Sequence, residues 1–211
     1  MERNKYLIIG LGNIGKSYEK TRHNIGFEVV KAFAKKNDFS FKESKKLKGY
    51  IARGQVDNDD FILLMPTTFM NESGIAARLV KDYYKISLDN ILVIVDDVAI
   101  PLGEFRLKKD STSGGHNGLK SIESHFKSAE YARLRIGVGD KKRASLVAHV
   151  LGDFSKSEKD KINEVIEKAI EFILSWHNQG LDKTMMKSNI RKKVTEKVIK
   201  TKKEKENLNE T

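Results

Sequence analysis

Tyr6-Leu7-Ile8-Ile9-Gly10-Leu11-Gly12-Asn13-Ile14-Gly15 runs through Lys16-Ser17-Tyr18-Glu19-Lys20 into Thr21-Arg22-His23-Asn24-Ile25-Gly26, and this stretch decides the fold. Its apolar opening reads as a short buried strand. Gly10, Gly12 and Gly15 then satisfy the G-x-G-x-x-G spacing of a dinucleotide-binding turn. In that turn the third glycine opens a helix, and an acid about 20 residues further on takes the ribose. Here the window holds Ala32-Phe33-Ala34-Lys35 inside an amphipathic helical pattern. The polar stretch from Lys16 to Asn24 has no helical period. A glycine loop ending in a His-Asn pair suits the placing of polar side chains at a strand end better than the binding of a pyrophosphate.

Outward from this stretch, strands and helices alternate with short connections. Ile25 to Lys36 carries Phe27, Val30 and Phe33 on one helical face. Gly49 to Val56 and Phe61 to Met65 read as strands joined across Asp57-Asn58-Asp59-Asp60. Asn71 or Ser73 could cap a helix carrying Ile75, Ala76, Leu79, Val80 and Tyr83. Ile91 to Val95 is an unbroken run of the kind found in buried parallel strands. Phe105 to Lys108 reads as another strand, and Ser111 to Gly118 leads into a helix with Leu119, Ile122 and Phe126. Leu134 to Val138 alternates as the last strand, before a long amphipathic helix from Ser157 to Trp176. The expected fold is α/β: a single domain over residues 1–190, with a mixed, mostly parallel twisted sheet flanked by helices.

With 211 residues, the chain can bury a sizeable core. No apolar run approaches the roughly 20 residues needed to span a bilayer, and Met1-Glu2-Arg3-Asn4-Lys5 leads straight into the first strand, so no signal peptide is expected and the cytoplasm is the default. The absence of cysteine excludes disulfides, thiolate metal sites and thiol nucleophiles. Net charge is +11, and the ten Lys/Arg against two acids between Lys183 and Lys205 supply +8 of it. That Lys-rich tail is either a solvated extension, flexible or partly helical, or an electrostatic arm for a polyanion.

The side chains suited to chemistry gather at strand ends and loop tips: Asn13, Tyr18, His23, Asn24, Asn71, Asp96, Asp97, His116 and Asn117. Asp96 closes the most apolar strand, where open α/β sheets place their sites. It could instead cap a turn, but Pro101 and Gly103 follow it rather than a helix. Neither a Gly-x-Ser-x-Gly elbow nor a phosphate loop is present, and no pair of histidines has metal-ligand spacing. A His-Asp pair among carboxamides remains. Aspartate accepting from one ring nitrogen would leave the other free to take a proton from water. Asparagines could hold a peptide-like substrate and stabilise an oxyanion.

At these residues the chain resembles the bacterial peptidyl-tRNA hydrolases. The matching blocks are Gly10 to Asn13 with Tyr18 and Thr21 to Gly26; Pro66-Thr67-Thr68-Phe69-Met70-Asn71 with Ser73-Gly74; Asp96 with Pro101; Gly114 to Ile122; and Arg133 to Gly139. The resemblance covers roughly residues 5 to 180. It implies hydrolysis of the ester joining a peptide to tRNA, which recycles tRNA from abandoned translation, without cofactor or metal, by a cytoplasmic monomer. It implies His23 as general base and Asp96 as its support. Asn13 and Asn71 would hold the 3′ terminus and peptide, with Tyr18, Asn24, Phe69, His116 and Asn117 in the same substrate cleft. Lys108 and Arg135, helped by Arg106, would clamp the tRNA 5′ phosphate. Two positions depart from the family pattern: Ile14 replaces a usual proline, and Ala99 a common acid. The rival from another class is a non-catalytic RNA-binding relative resembling organelle splicing factors, and a nicotinamide oxidoreductase comes third.

If the tail binds RNA phosphates, truncation after Asn189 raises KM, leaves kcat unchanged and makes the salt dependence of binding shallower by about 0.7–0.9 per lost contact. Identical KM and salt slope for both forms would establish a solvated extension.

Overall fold

The computed structural model describes residues 3–139 and 146–186. Its elements are β1 (Lys5–Gly10), α1 (Ile25–Lys36), β2 (Lys42–Ser44), β3 (Gly49–Val56), β4 (Asp59–Pro66), α2 (Ser73–Tyr84), β5 (Ile91–Asp97), β6 (Phe105–Lys108), α3 (Asn117–Phe126), β7 (Ala132–Gly137), α4 (Leu146–Val150) and α5 (Lys156–Gln179). Short 3-10 turns at Arg22–Asn24 and Met70–Glu72 lead into α1 and α2.

One seven-stranded sheet runs in the order β2-β3-β4-β1-β5-β7-β6. The central strands β4, β1, β5 and β7 are parallel, while β3 pairs antiparallel with β4 on one side and β6 with β7 on the other. Between their polar ends β1, β4 and β5 are apolar because helices cover both faces, while β7 carries Arg133 and Arg135. On one face Leu7, Ile9, Leu64, Val93 and Val95 join Ala76 and Val80 of α2 and Leu119 and Ile122 of α3 in a single buried cluster. On the other, α1 lays Phe33 against Phe61, ring centroids 5.6 Å apart.

Contacts divide the chain into two compact units, Met1–Glu171 and Phe172–Thr211. The sheet and α1 to α4 belong to the first. In the second, Ile173, Trp176 and Thr184 are buried, and the Thr184 hydroxyl donates to the Gly180 carbonyl at 2.8 Å. The expected boundary near residue 190 and the Lys-rich tail lie outside the described residues.

The structure departs from the sequence reading in four places. Strand β2 and helix α4, of three and five residues, were not expected, since neither is long enough to show a period. The last strand spans Ala132–Gly137 and does not alternate: only Arg135 is partly exposed, because β7 lies between two strands with both faces covered. Neither Asn71 nor Ser73 caps α2. The 3-10 turn moves the helix start past Asn71, and the Ser73 hydroxyl bonds back to the Met70 carbonyl at 2.9 Å. The amide of Gly74 is met from outside the helix, by the hydroxyl of Ser121 in α3 at 3.0 Å.

The glycine pattern of the opening stretch serves close packing. A Cβ on Gly10 would stand 2.3 Å from the Gly26 carbonyl oxygen, and one on Gly26 would stand 2.5 Å from both Leu11 N and the Ile94 carbonyl oxygen. The start of α1 thus presses onto the ends of β1 and β5, where the Leu11 amide donates to Ile94 at 3.0 Å. This contact carries the turn at residues 22–24 over the end of β5.

Gly26→Ala should therefore destabilise the protein. Alanine's helical advantage is at most about 1 kcal/mol, whereas overpacking costs about 1–3 kcal/mol, and the obstructing atoms are backbone that cannot rotate away. The expected net loss is about 2 kcal/mol, read from the midpoint of urea unfolding.

Candidate active site

The loops that follow β1, β4 and β5, together with the one leading into α3, bring the chemistry-bearing side chains to the C-terminal ends of the parallel strands, as open α/β sheets do. Asp96 is the penultimate residue of β5 and is buried, 4% exposed. Its Oδ1 lies 2.8 Å from His23 Nδ1 and 3.1 Å from His116 Nε2. The two imidazoles tilt together over it, with ring centroids 4.9 Å apart. Burial alone would raise the carboxyl pKa, but His116 and His23 outweigh it and hold Asp96 well below the ordinary carboxylate range. An ionised carboxylate only accepts, so His23 donates from Nδ1 and its Nε2 carries the free lone pair when the ring is neutral.

His116 is fixed from its other side. Its Nδ1 accepts from the amides of Gly118 at 3.1 Å and Leu119 at 3.4 Å, so the ring caps α3. The proton of the neutral ring is therefore on Nε2, directed at Asp96. Spacing along the chain did not reveal that His23, Asp96 and His116 offer ligand atoms all within 4.8 Å of one another, a grouping able to hold a metal ion. For His116 to ligate there, its proton would have to move to Nδ1 and face two backbone N–H groups. The hydrogen-bonded arrangement is the better match to these donors.

Asn13 and Asn24 form a pair. The Asn24 carboxamide accepts from the Asn13 amide at 2.7 Å and donates to the Asn13 carbonyl at 2.9 Å. Asn24, expected in the substrate cleft, is 3% exposed and committed to this backbone pairing. Gly12 makes room for it: a Cβ there would lie 3.0 Å from Asn24 Oδ1 and 2.7 Å from the Phe27 ring. Asn13 Oδ1 in turn accepts the Met70 amide at 3.2 Å, which orients its carboxamide and leaves Nδ2 without a partner among the described residues. Asn71, in the turn before α2, and Asn117, at the first position of α3, are exposed, and neither side chain has a hydrogen-bond partner among the described residues. Phe69 is 74% exposed and Tyr18 half-buried. Phe69 lines a hollow of about 360 Å³ with Ile14, Thr67 and Thr68. A larger hollow of about 800 Å³, lined by residues such as Lys5, Lys42, Arg53 and Tyr84, holds none of the expected site residues.

The basic residues divide. Arg135 is not an open clamp: it donates to Asp97 Oδ2 at 3.1 Å and to the Thr112 carbonyl at 2.6 Å, and its side chain is 11% exposed. Its cross-strand partner is Arg106, whereas Lys108 stands opposite the buried Arg133. Arg106 and Lys108 share the exposed side of β6 and have no ion-pair partner among the described residues. The turn role that Asp96 might have had falls to Asp97, whose Oδ1 accepts the Ala99 amide at 2.9 Å.

The family model described as peptidyl-tRNA hydrolase matches residues 7–197. The chain belongs to the peptidyl-tRNA hydrolase family. A peptidyl-tRNA hydrolase of Prochlorococcus marinus (strain NATL1A) is 43% identical over 189 residues, covering 87% of this chain and 94% of that protein. One of Clostridium tetani is 44% identical over 184 residues, covering 87% and 97%. Among solved structures, the peptidyl-tRNA hydrolase of Acinetobacter baumannii superposes with a TM-score of 0.79 at 33% identity, covering 87% of this chain and 96% of that one. A complex of a peptidyl-tRNA hydrolase with N-propanol gives 0.82 at 34%, covering 88% and 95%. The family match reaches past the roughly 180 residues expected from the motifs and into the Lys-rich segment.

The lowered pKa of Asp96 fixes the sign of a stability change with pH. A carboxyl depressed on folding stabilises fully above its unfolded value, about 3.9, and loses that contribution as pH falls through the folded value. Asp96→Asn should therefore be markedly less stable than wild type at pH 7, with the gap closing below about pH 4 in urea titrations.

Proposed function

We propose that the family's reaction, hydrolysis of the ester between peptide and tRNA, runs here on water activated by His23. The observation that carries this reading is the 2.8 Å contact from His23 Nδ1 to a buried carboxylate, which leaves Nε2 as the base. Nε2 takes a proton from water as the oxygen attacks the ester carbonyl, and Asp96 stabilises the resulting imidazolium. The tetrahedral intermediate collapses, the proton passes to the departing 3′ oxygen, and the products are free peptide carboxylic acid and tRNA. The unpartnered Nδ2 of Asn13 and the exposed carboxamides of Asn71 and Asn117 suit the oxyanion and the peptide, with Phe69 beside the peptide. His116 acts through Asp96 by supplying its second hydrogen bond.

The tRNA phosphates fall to Arg106 and Lys108, the exposed cations of β6, and Arg135 braces the loop behind them. The mechanism calls on no metal, since the imidazole supplies the base and the carboxamides the oxyanion donors. Every group in it comes from one chain, which suits a monomer. No helix among the described residues is long and apolar enough to cross a membrane. A substrate left by translation suits work in the cytoplasm.

With N-acetyl-aminoacyl-tRNA as substrate, His23→Ala should lower kcat by about 10²–10⁴ with little change in KM, because a base acts in the transition state. Wild-type turnover in His23→Ala would dismiss the assignment. Activity abolished by EDTA and restored by zinc would replace the metal-free route.

A further inference from the structure

Arg22 shares a 3-10 turn with His23, and the mechanism gives it no part. Its Nη1 donates to the carbonyls of Gly152 at 3.2 Å and Asp153 at 2.6 Å. Its Nη2 donates to both carboxylate oxygens of Glu158, at 3.1 and 3.0 Å. The guanidinium carbon lies 5.1 Å from the centre of the Phe154 ring, and the side chain is only 12% exposed. The main chain follows the same partner: the Arg22 amide donates to the Gly152 carbonyl at 3.1 Å, and Thr21 forms an antiparallel bridge with Asp153. Glu158 is itself held, accepting the Ser155 amide at 2.7 Å as α5 begins.

Two anchors therefore flank the base. Asn24 ties the turn to the loop after β1, and Arg22 ties it to residues 152–158. Only a guanidinium offers a planar fork for the carboxylate while reaching two carbonyls. Without the guanidinium the Asp153 carbonyl loses its side-chain donor and the Gly152 carbonyl keeps only the Arg22 main-chain amide. We infer that Arg22 is a positioning residue for His23: its clasp on Gly152, Asp153 and Glu158 holds the imidazole in line with Asp96. Misplacing a reacting group by about 1 Å costs up to 10²-fold in rate, so the clasp acts on kcat rather than on tRNA binding. The inference rests on His23 as the base, which His23→Ala decides independently.

The test uses the full-length protein with Arg22→Met, Glu158→Gln and the double variant. Steady-state kinetics on N-acetyl-aminoacyl-tRNA is run well below each variant's melting temperature. Proton NMR follows the downfield resonance of the proton shared by His23 and Asp96, which reports the alignment whether or not His23 is the base. Arg22→Met is expected to lower kcat about 10- to 100-fold with KM within about threefold, and to broaden or remove that resonance. Glu158→Gln should act in the same direction more weakly, and the double variant should be no worse than Arg22→Met. If Arg22→Met fails to fold, Glu158→Gln decides alone by the same two readouts. Unchanged kcat with the resonance intact overturns the inference. So does a rise in KM at constant kcat, which would make Arg22 a tRNA contact, and so does lower melting temperature with unaltered turnover, which would make it a fold contact only.

Discussion

A carboxylate buried at the end of a central strand, β5, governs the site. Asp96 has left water, and a charge there is tolerable only if hydrogen bonds replace its solvation. The structure gives it two imidazole donors on one oxygen, His23 from the turn before α1 and His116 from the start of α3. Each donor has a consequence beyond the carboxylate. Donation by His23 settles which of its nitrogens can accept a proton. Donation by His116 works because two amides of α3 hold the opposite nitrogen as an acceptor. The helix end, the second imidazole, the carboxylate and the first imidazole thus form one polar chain, in which each proton position follows from its neighbour.

Bringing these parts together is a matter of packing. Gly10 and Gly26 let α1 start against the ends of β1 and β5, and the Met70 amide on Asn13 brings in the turn that carries Asn71. The Gly74 amide on Ser121 locks α2 to α3, and with them the turn bearing Asn71 and the helix start bearing Asn117. A Cβ on Gly74 would stand 2.1 Å from the Ser121 carbonyl oxygen, so the two helices meet backbone to backbone at this level. The carboxamides owe their placement to these contacts, which sit beneath them in the core.

Much of this was legible in the residues, for reasons that separate by length scale. Long apolar patterns identified β1, β5, α1 and α5, because burial on one or both faces imposes a period that a single sequence displays. The His-Asn turn and Asp96 stood out because polar groups at the ends of apolar strands need a reason. Short elements escaped: Lys42–Ser44 and Leu146–Val150 are held by neighbours rather than by their own pattern. Partners across the chain also escaped. Nothing local distinguishes His116 as a donor to Asp96, Asn24 as a strut for Asn13, or Arg135 as paired with Asp97, since each partner lies 11 to 38 residues away. Arg22 and Glu158, 136 residues apart, are the extreme case. The motif that carries His23 includes Arg22, but no spacing rule could name its acid.

The distribution of cations suits the base proposed for the site. A free positive charge beside an imidazole opposes its taking a proton, yet an RNA substrate needs cations close by. Among the described residues, the arginines drawn into the body of the domain are matched with acids: Arg22 with Glu158, Arg133 with Glu123 and Arg135 with Asp97. Their charges are balanced where the dielectric is low and an unpaired charge would act strongly. Arg106 and Lys108 stand on the outer face of β6, where solvent screens them from the imidazole but not from a phosphate in direct contact. Under the proposed mechanism, attraction for RNA would sit at the rim and proton transfer in the interior.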